Sequence, residues 1–209
     1  MPKKTERMEG AARAPSARLF LAVRLSPECN ASVGALVREL RPATAARGVD
    51  VTWIGADNLH VTLKFLGATP ESQIAEIARV ARAALAKFEC FEVTAAGAGV
   101  FPNESRPKVF WVNLRDETGQ LERMAYALDE SLATIGFRRE PYPFAPHLTI
   151  GRVKEGRQAG ELLFRFKTRH FGSCIIREVV LYESKTHPEG AVYTSLERFP
   201  LTGDPIAPI

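Results

Sequence analysis

The chain has 209 residues, 45% of them hydrophobic and 25% charged, with 28 Lys and Arg against 24 Asp and Glu for a formal net charge of +4. That is enough chain for one sizeable core, and no apolar run approaches the ~18–20 residues that a membrane span needs. Three scattered cysteines, Cys29, Cys90 and Cys174, exclude a disulfide framework and a zinc site, so small buried thiols in a reducing cytoplasm are expected, and the slight positive excess leans toward an anionic partner.

Residues 1–17 are polar, carry Pro2, Gly10 and Pro15 and show no periodicity, which predicts a flexible tail without a signal-peptide core. Leu19–Val23 is a short apolar run suited to a central strand. Ser26, Pro27 and Glu28 form a helix start, followed by Val33, Leu36, Val37 and Leu40 at helical spacing and closed by Pro42. Residues 51–54 and 58–66 read as strands, the second ended by Gly67. Thr69-Pro70-Glu71 opens a helix with the stripe Ile74, Ile77, Ala78, Ala81, Ala84 and Leu85. Strands are predicted at 91–94 and 109–114. A third helix spans 118–135, lined by Leu121, Met124, Ala125, Leu128 and Leu132, with Gly136 after its C-terminus. A strand at 147–153, a weaker helix at 156–166 and strands at 171–183 and 191–199 complete the chain. Helices and strands mix without strict alternation, which predicts an α+β fold with mainly antiparallel sheets. A weak internal repeat, a strand with His-x-Thr followed by a helix in each half, predicts a duplicated unit folded as two facing lobes in one domain over 18–209.

That repeat carries the chemistry. On a strand, residues two apart share a face, so His60 projects with Thr62 and His147 with Thr149, while Val61, Leu63, Leu148 and Ile150 point into a core. Imidazole gives or takes a proton near neutral pH, and a hydroxyl donates a hydrogen bond to an anionic oxygen. Two such units on opposite sides of one phosphorus suit in-line displacement, with one imidazole deprotonating water and the other protonating the leaving oxygen. The threonines hold the non-bridging oxygens. No His-Glu-x-x-His or Asp-rich set is present, so neither a metal nor another cofactor is expected. The same alternation puts Lys64 on the face of His60. His170 and His187 lack a companion threonine and are read as bystanders. Arg106 and Lys108 form a basic loop beside Pro102 and Pro107. Phe144, Tyr142 and Phe101 are candidates for stacking on a base.

The segments Arg18–Val23, Leu59–Gly67, Val100–Pro102 with Val109–Trp111, Phe144–Arg152, Leu181–Ser184 and Tyr193-Thr194 together resemble the 2H phosphoesterases, and most closely the bacterial and archaeal RNA 2′,3′-cyclic phosphodiesterases, historically called 2′-5′ RNA ligases. The likeness spans about residues 18–201. It implies a bilobal α+β fold, with two sheets facing a central cleft, helices on the outside and the two motifs opposed across a pseudo-two-fold axis. It further implies a monomer acting on 2′,3′-cyclic phosphate ends of RNA or on cyclic nucleotides. In that scheme His60 is the proton donor to the leaving 3′-oxygen, His147 is the proton acceptor from water, and the product is a 2′-phosphate. Arg152 is implied to bind phosphate, although alternation puts it on the wrong face unless the strand bulges or bends at Gly151. Two alternatives stay open: the same site acting on a 2′-5′ linkage as phosphodiesterase or ligase, and a nucleotide- or RNA-binding module without turnover.

Overall fold

The computed structural model describes residues 15–155, 159–187 and 190–206. Positions 1–14 of the predicted tail and 156–158 of the predicted fourth helix lie outside the described residues. In chain order the elements are β1 (Ser16–Val23), α1 (Pro27–Ala45), β2 (Asp50–Trp53), β3 (Val61–Pro70), α2 (Ile74–Leu85), β4 (Glu89–Phe101), β5 (Val109–Arg115), α3 (Gln120–Ala133), β6 (His147–Glu155), β7 (His170–Ile176), β8 (Glu178–His187), β9 (Gly190–Pro200) and β10 (Thr202–Ile206). Single 3-10 turns at Ala56–Asn58 and Glu71–Gln73 and a 3-10 helix at Ala159–Phe166 fill the connections.

The strands form two sheets. The first runs β3-β1-β8-β9, and the second runs β10-β4-β5-β6-β2 with β7 also paired to β4. Every pairing is antiparallel except β10 with β4. The α+β class with two mainly antiparallel sheets is therefore as the sequence pattern implies. The lobes are not the two halves of the sequence, however. β2 precedes the first motif yet pairs with β6, and β8 and β9 return from the C-terminal half to extend the sheet of β1 and β3. The predicted strand at 171–183 is two strands broken at Arg177, one in each sheet.

Alternation along β1 organises the packing. Leu19, Leu21 and Val23 face a large apolar core shared with α1, α2, α3 and both sheets, including Leu36, Leu40, Ile77, Phe91, Phe110, Leu128, Leu148 and Leu181. Phe20 and Ala22 face the other way and join Val180, Tyr182 and Tyr193 in a small separate cluster. This second cluster is where the first motif sits.

Local chemistry sets the helix ends. The Ser26 hydroxyl accepts from the Cys29 N–H at 3.3 Å, and Pro27 takes the first turn. Pro42 does not close α1 as predicted. A proline in the last turn forfeits only its own hydrogen bond, and the helix runs on to Ala45. There the Thr44 hydroxyl donates to the Leu40 and Arg41 carbonyls and the Ala46 N–H reaches the Pro42 carbonyl. Asp116 caps α3 through the N–H groups of Thr118 and Leu121. Two strand ends also differ from expectation. β1 begins at Ser16, inside the predicted tail, and β3 passes Gly67 to reach Pro70, because Ser16, Ala17 and Arg18 supply ladder partners for Pro70, Thr69 and Ala68.

Candidate active site

The first motif enters from the 3-10 turn Ala56–Asn58. Leu59 is buried, which turns the half-buried His60 toward the cleft. The His60 Nδ1 lies 2.7 Å from the Asn58 carbonyl oxygen. A carbonyl only accepts, so Nδ1 carries the proton and Nε2 is left free for substrate. Asn58 is itself fixed, its amide donating to the Ala191 carbonyl of β9 at 2.7 Å. The imidazole packs against Phe20 at 4.9 Å between centroids and meets Tyr193 edge-on at 5.1 Å and 89°.

The second motif repeats this arrangement from the other sheet. His147 Nδ1 lies 2.7 Å from the Ala145 carbonyl, again two residues back, and its ring meets Phe101 edge-on at 5.2 Å and 85°. Phe101 rests on Trp111 at 5.1 Å, and Trp111 is the cross-strand partner of Thr149. The indole lies flat over Gly99, where a Cβ would come within 2.5 Å of Trp111 Cζ2, so only glycine admits it.

Thr62 pairs with Ala22 and Thr149 with Trp111, each on the face of its histidine. Past the threonines both strands leave simple alternation. In β6 the partner of Trp111 is Thr149 but that of Phe110 is Gly151, so Ile150 is an extra residue. Ile150 and Gly151 both turn inward, Gly151 against Val51 and Trp53 with no space for a Cβ, and Arg152 emerges exposed on the cleft face. The bulge that Arg152 required is present.

β3 bulges in the same way, with a different outcome. Thr62 pairs with Ala22 but Lys64 with Leu21, leaving Leu63 as the extra residue. Lys64 therefore does not share the face of His60, contrary to the alternation argument. It is 1% exposed, and its ammonium donates to Asp129 of α3 at 2.7 Å, to the Arg138 carbonyl at 2.6 Å and to Glu140 at 3.4 Å. Phe65 takes the cleft position instead, 59% exposed and 6.4 Å from Phe20.

Burial holds the His60 imidazole below the usual histidine range, helped by the positive fields of Arg24, Arg152 and His147 and opposed by the Asn58 carbonyl. Burial likewise raises the Tyr193 phenol, against the pull of Arg152. Arg152, carried by the second sheet, is thus felt by two side chains of the first. β3 and β6 approach each other across the cleft.

Of the stacking candidates, only Phe101 is placed against a motif histidine. Phe144 is half-buried and packs on the main core, which commits its ring there, and Tyr142 stands 81% exposed on the loop before β6 without a ring partner among the described residues. Arg106 and Lys108 are exposed in the connection between β4 and β5, just after Phe101. His170 and His187 are exposed at strand ends. The sequence reading missed Phe20, Phe65, Trp111, Tyr182 and Tyr193. Phe20 was within reach, since alternation from the buried Leu19 and Leu21 puts it on the opposite face. Among the described residues no group of three or more His, Cys, Asp and Glu side chains converges as a metal cage would, and no helix is long and apolar enough to cross a membrane.

Comparison with known proteins places this geometry. Residues 27–188 match the family model of the 2′-5′ RNA ligase superfamily. The RNA 2′,3′-cyclic phosphodiesterase of Methanothermobacter thermautotrophicus is 37% identical over 189 residues, covering 88% of this chain and 98% of that protein. That of Archaeoglobus fulgidus is 33% identical over 183 residues, covering 87% and 99%. Among solved structures, TT0787 of Thermus thermophilus superposes with a TM-score of 0.75 at 29% identity over 90% of this chain and 99% of that one. E. coli LigT complexed with 3′-AMP superposes with a TM-score of 0.73 at 26% identity over 90% and 100%. The chain belongs to the 2′-5′ RNA ligase superfamily, within the 2H phosphoesterases.

Proposed function

We propose that this protein hydrolyses 2′,3′-cyclic phosphodiester ends of RNA, or the corresponding cyclic nucleotides, to 2′-phosphomonoesters by metal-independent acid–base catalysis. The observation that carries the reading is the matched pair of imidazoles, one from each sheet, each with Nδ1 held on a carbonyl two residues back, which leaves Nε2 to face a ligand. A binding site for phosphate needs donors. It does not need two groups that can each take up or release a proton on the side facing the ligand. The names of the relatives support the bond type, and the E. coli LigT structure complexed with 3′-AMP supports a nucleotide ligand.

In the proposed cycle the His147 Nε2 takes a proton from water as its oxygen attacks phosphorus. The bond from phosphorus to the 3′-oxygen breaks in line, and the His60 Nε2 gives that oxygen a proton. His60 ends neutral and His147 ends protonated, and exchange with solvent resets both. Thr62, Thr149 and Arg152 hold the non-bridging oxygens. The order of roles rests on the family likeness, because the two histidine environments mirror each other. A His60 held low favours its neutral form in the free protein. The arriving phosphate anion offsets the charges of Arg24 and Arg152 and favours the imidazolium that donation needs.

The test is turnover of a nucleoside 2′,3′-cyclic phosphate in EDTA by the protein and by His60→Ala and His147→Ala. Turnover with chelator present and a loss of about 10²–10⁴-fold in each variant is expected. Undiminished activity in either variant overturns the two-histidine mechanism, and a 3′-phosphate product overturns the assigned regiochemistry.

A further inference from the structure

β1 ends with Ala22 opposite Thr62 and Val23 opposite Val61. Continuing that register by one residue puts Arg24 directly across from His60, on the face of Phe20 and Ala22. Its guanidinium donates to the Asp57 carbonyl at 2.7 Å, and with His60, Tyr182 and Tyr193 it lines a recess of about 30 Å³, room for about one water. Among the described residues no carboxylate forms an ion pair with Arg24, and none forms one with Arg152. The site thus presents two uncompensated guanidinium groups, one per sheet. A 2′,3′-cyclic phosphate carries a single negative charge, which Arg152 and the threonines already meet.

Connectivity of the nucleotide says where a second anion would lie. In-line displacement places the leaving 3′-oxygen at His60 and the attacking water at His147. The 3′-carbon is bonded to C4′, which carries C5′ and the 5′-oxygen. The 5′-phosphoryl group therefore leaves the ribose from the edge nearest His60, where Arg24 stands. The base leaves from C1′, at the far side of the 2′-carbon.

We propose that Arg24 binds the 5′-phosphoryl group of the terminal nucleotide, so that the enzyme selects RNA ends and 5′-phosphorylated nucleotides over plain nucleoside 2′,3′-cyclic phosphates. The assignment rests on the proposed role of His60 at the 3′-oxygen. Guanidinium suits a phosphate through paired N–H donors, and the Asp57 carbonyl holds it in position without neutralising it.

The experiment compares kcat/KM for adenosine 2′,3′-cyclic phosphate with that for its 5′-phosphorylated form, in the wild type, Arg24→Gln and Arg24→Lys. Because the readout is a ratio between substrates, a general loss of activity in a variant cancels. The wild type is expected to prefer the 5′-phosphorylated substrate by roughly ten- to a hundredfold, Arg24→Gln to show a ratio near one and Arg24→Lys an intermediate ratio. No preference in the wild type, or the same preference in Arg24→Gln, overturns the proposal. So does a changed pH profile in Arg24→Gln with the ratio intact, since Arg24 would then act only on the proton of His60. Calorimetric binding of adenosine 2′-phosphate and adenosine 2′,5′-bisphosphate asks the same question without turnover. A bisphosphate preference that disappears in Arg24→Gln supports the Arg24 assignment even if the proposed reaction fails, and the absence of that preference overturns it.

Discussion

Leu63 and Ile150 occupy equivalent places: each is the extra residue of a β-bulge, three positions after His60 and His147 respectively. The fourth residue of each His-x-Thr-apolar motif is thus more than a core contact. It takes the place at which the strand changes parity, so the residue five positions after each histidine returns to the cleft. In the first lobe that residue is Phe65, and in the second it is Arg152. The pseudo-symmetry of the two histidines therefore ends in an aromatic ring on one side and a cation on the other.

Arg152→Ala should raise KM and lower kcat/KM by roughly ten- to a hundredfold, the range for losing charge-assisted hydrogen bonds to phosphate. Arg152→Lys should recover part of the loss, because the charge remains while the paired geometry does not. Steady-state kinetics on a nucleoside 2′,3′-cyclic phosphate checks both. Wild-type kcat/KM in Arg152→Ala would show that the bulge places this side chain on the cleft to no catalytic purpose.

The same substitution has a second, independent readout. His60 is held low by burial first and by the positive charges of Arg24, Arg152 and His147 next. Removing Arg152 should raise the His60 titration point, and saturating the wild type with adenosine 2′-phosphate, an anion, should raise it as well. Proton NMR of the imidazole across pH 4–9 measures each. A midpoint that stays put or falls in Arg152→Ala contradicts the electrostatic account. The linkage sign follows from the same direction. The unfolded chain binds this proton first, so stability is lost as pH falls from about 6.5 toward the lowered native value.

The motifs were legible in the sequence because period-two alternation holds from His60 to Leu63 and from His147 to Ile150. The same rule misplaced Lys64 one residue later, since a bulge leaves no mark in the residue types of β3. In β6 the only sign of the bulge is the family likeness that implies a cleft-facing Arg152. The sheet assignment of β2, β8 and β9 was not legible either, because which strand a segment pairs with is decided by contacts far away in sequence. The cleft aromatics Phe20, Tyr182 and Tyr193 gather from β1, β8 and β9, and no local pattern joins them.

The burial of Lys64 is open to a direct test. If its ammonium is buried against Asp129, the Arg138 carbonyl and Glu140, Lys64→Met leaves Asp129, 15% exposed, without its nearest cation. Breaking one side of such a pair costs on the order of 3 kcal/mol, which for a chain of this length lowers Tm by roughly 6–12 °C. Pairing Lys64→Met with Asp129→Asn should cost less than the sum of the two single changes. Thermal melts of the four proteins give the coupling. A Lys64→Met protein that melts with the wild type would return Lys64 to the surface, where alternation first put it.

Gly99→Ala tests the support beneath the second histidine. The new Cβ would stand 2.5 Å from Trp111 Cζ2 and 2.6 Å from Cη2, so the indole must move. Trp111 carries Phe101, and Phe101 braces His147. Overpacking of this kind costs roughly 1–3 kcal/mol, which a chain of this size tolerates as a modest fall in Tm. The catalytic cost should be larger in proportion, because a histidine displaced by a fraction of an ångström loses its line on the attacking water. The expected result is a folded protein with a small drop in Tm and a fall in kcat that exceeds the change in KM. Trp111→Phe in the Gly99→Ala background should restore part of kcat, since the smaller ring clears the methyl group while still carrying Phe101. If Gly99→Ala melts lower yet turns over at the wild-type rate, the stack from Gly99 through Trp111 and Phe101 is packing alone and does not position His147.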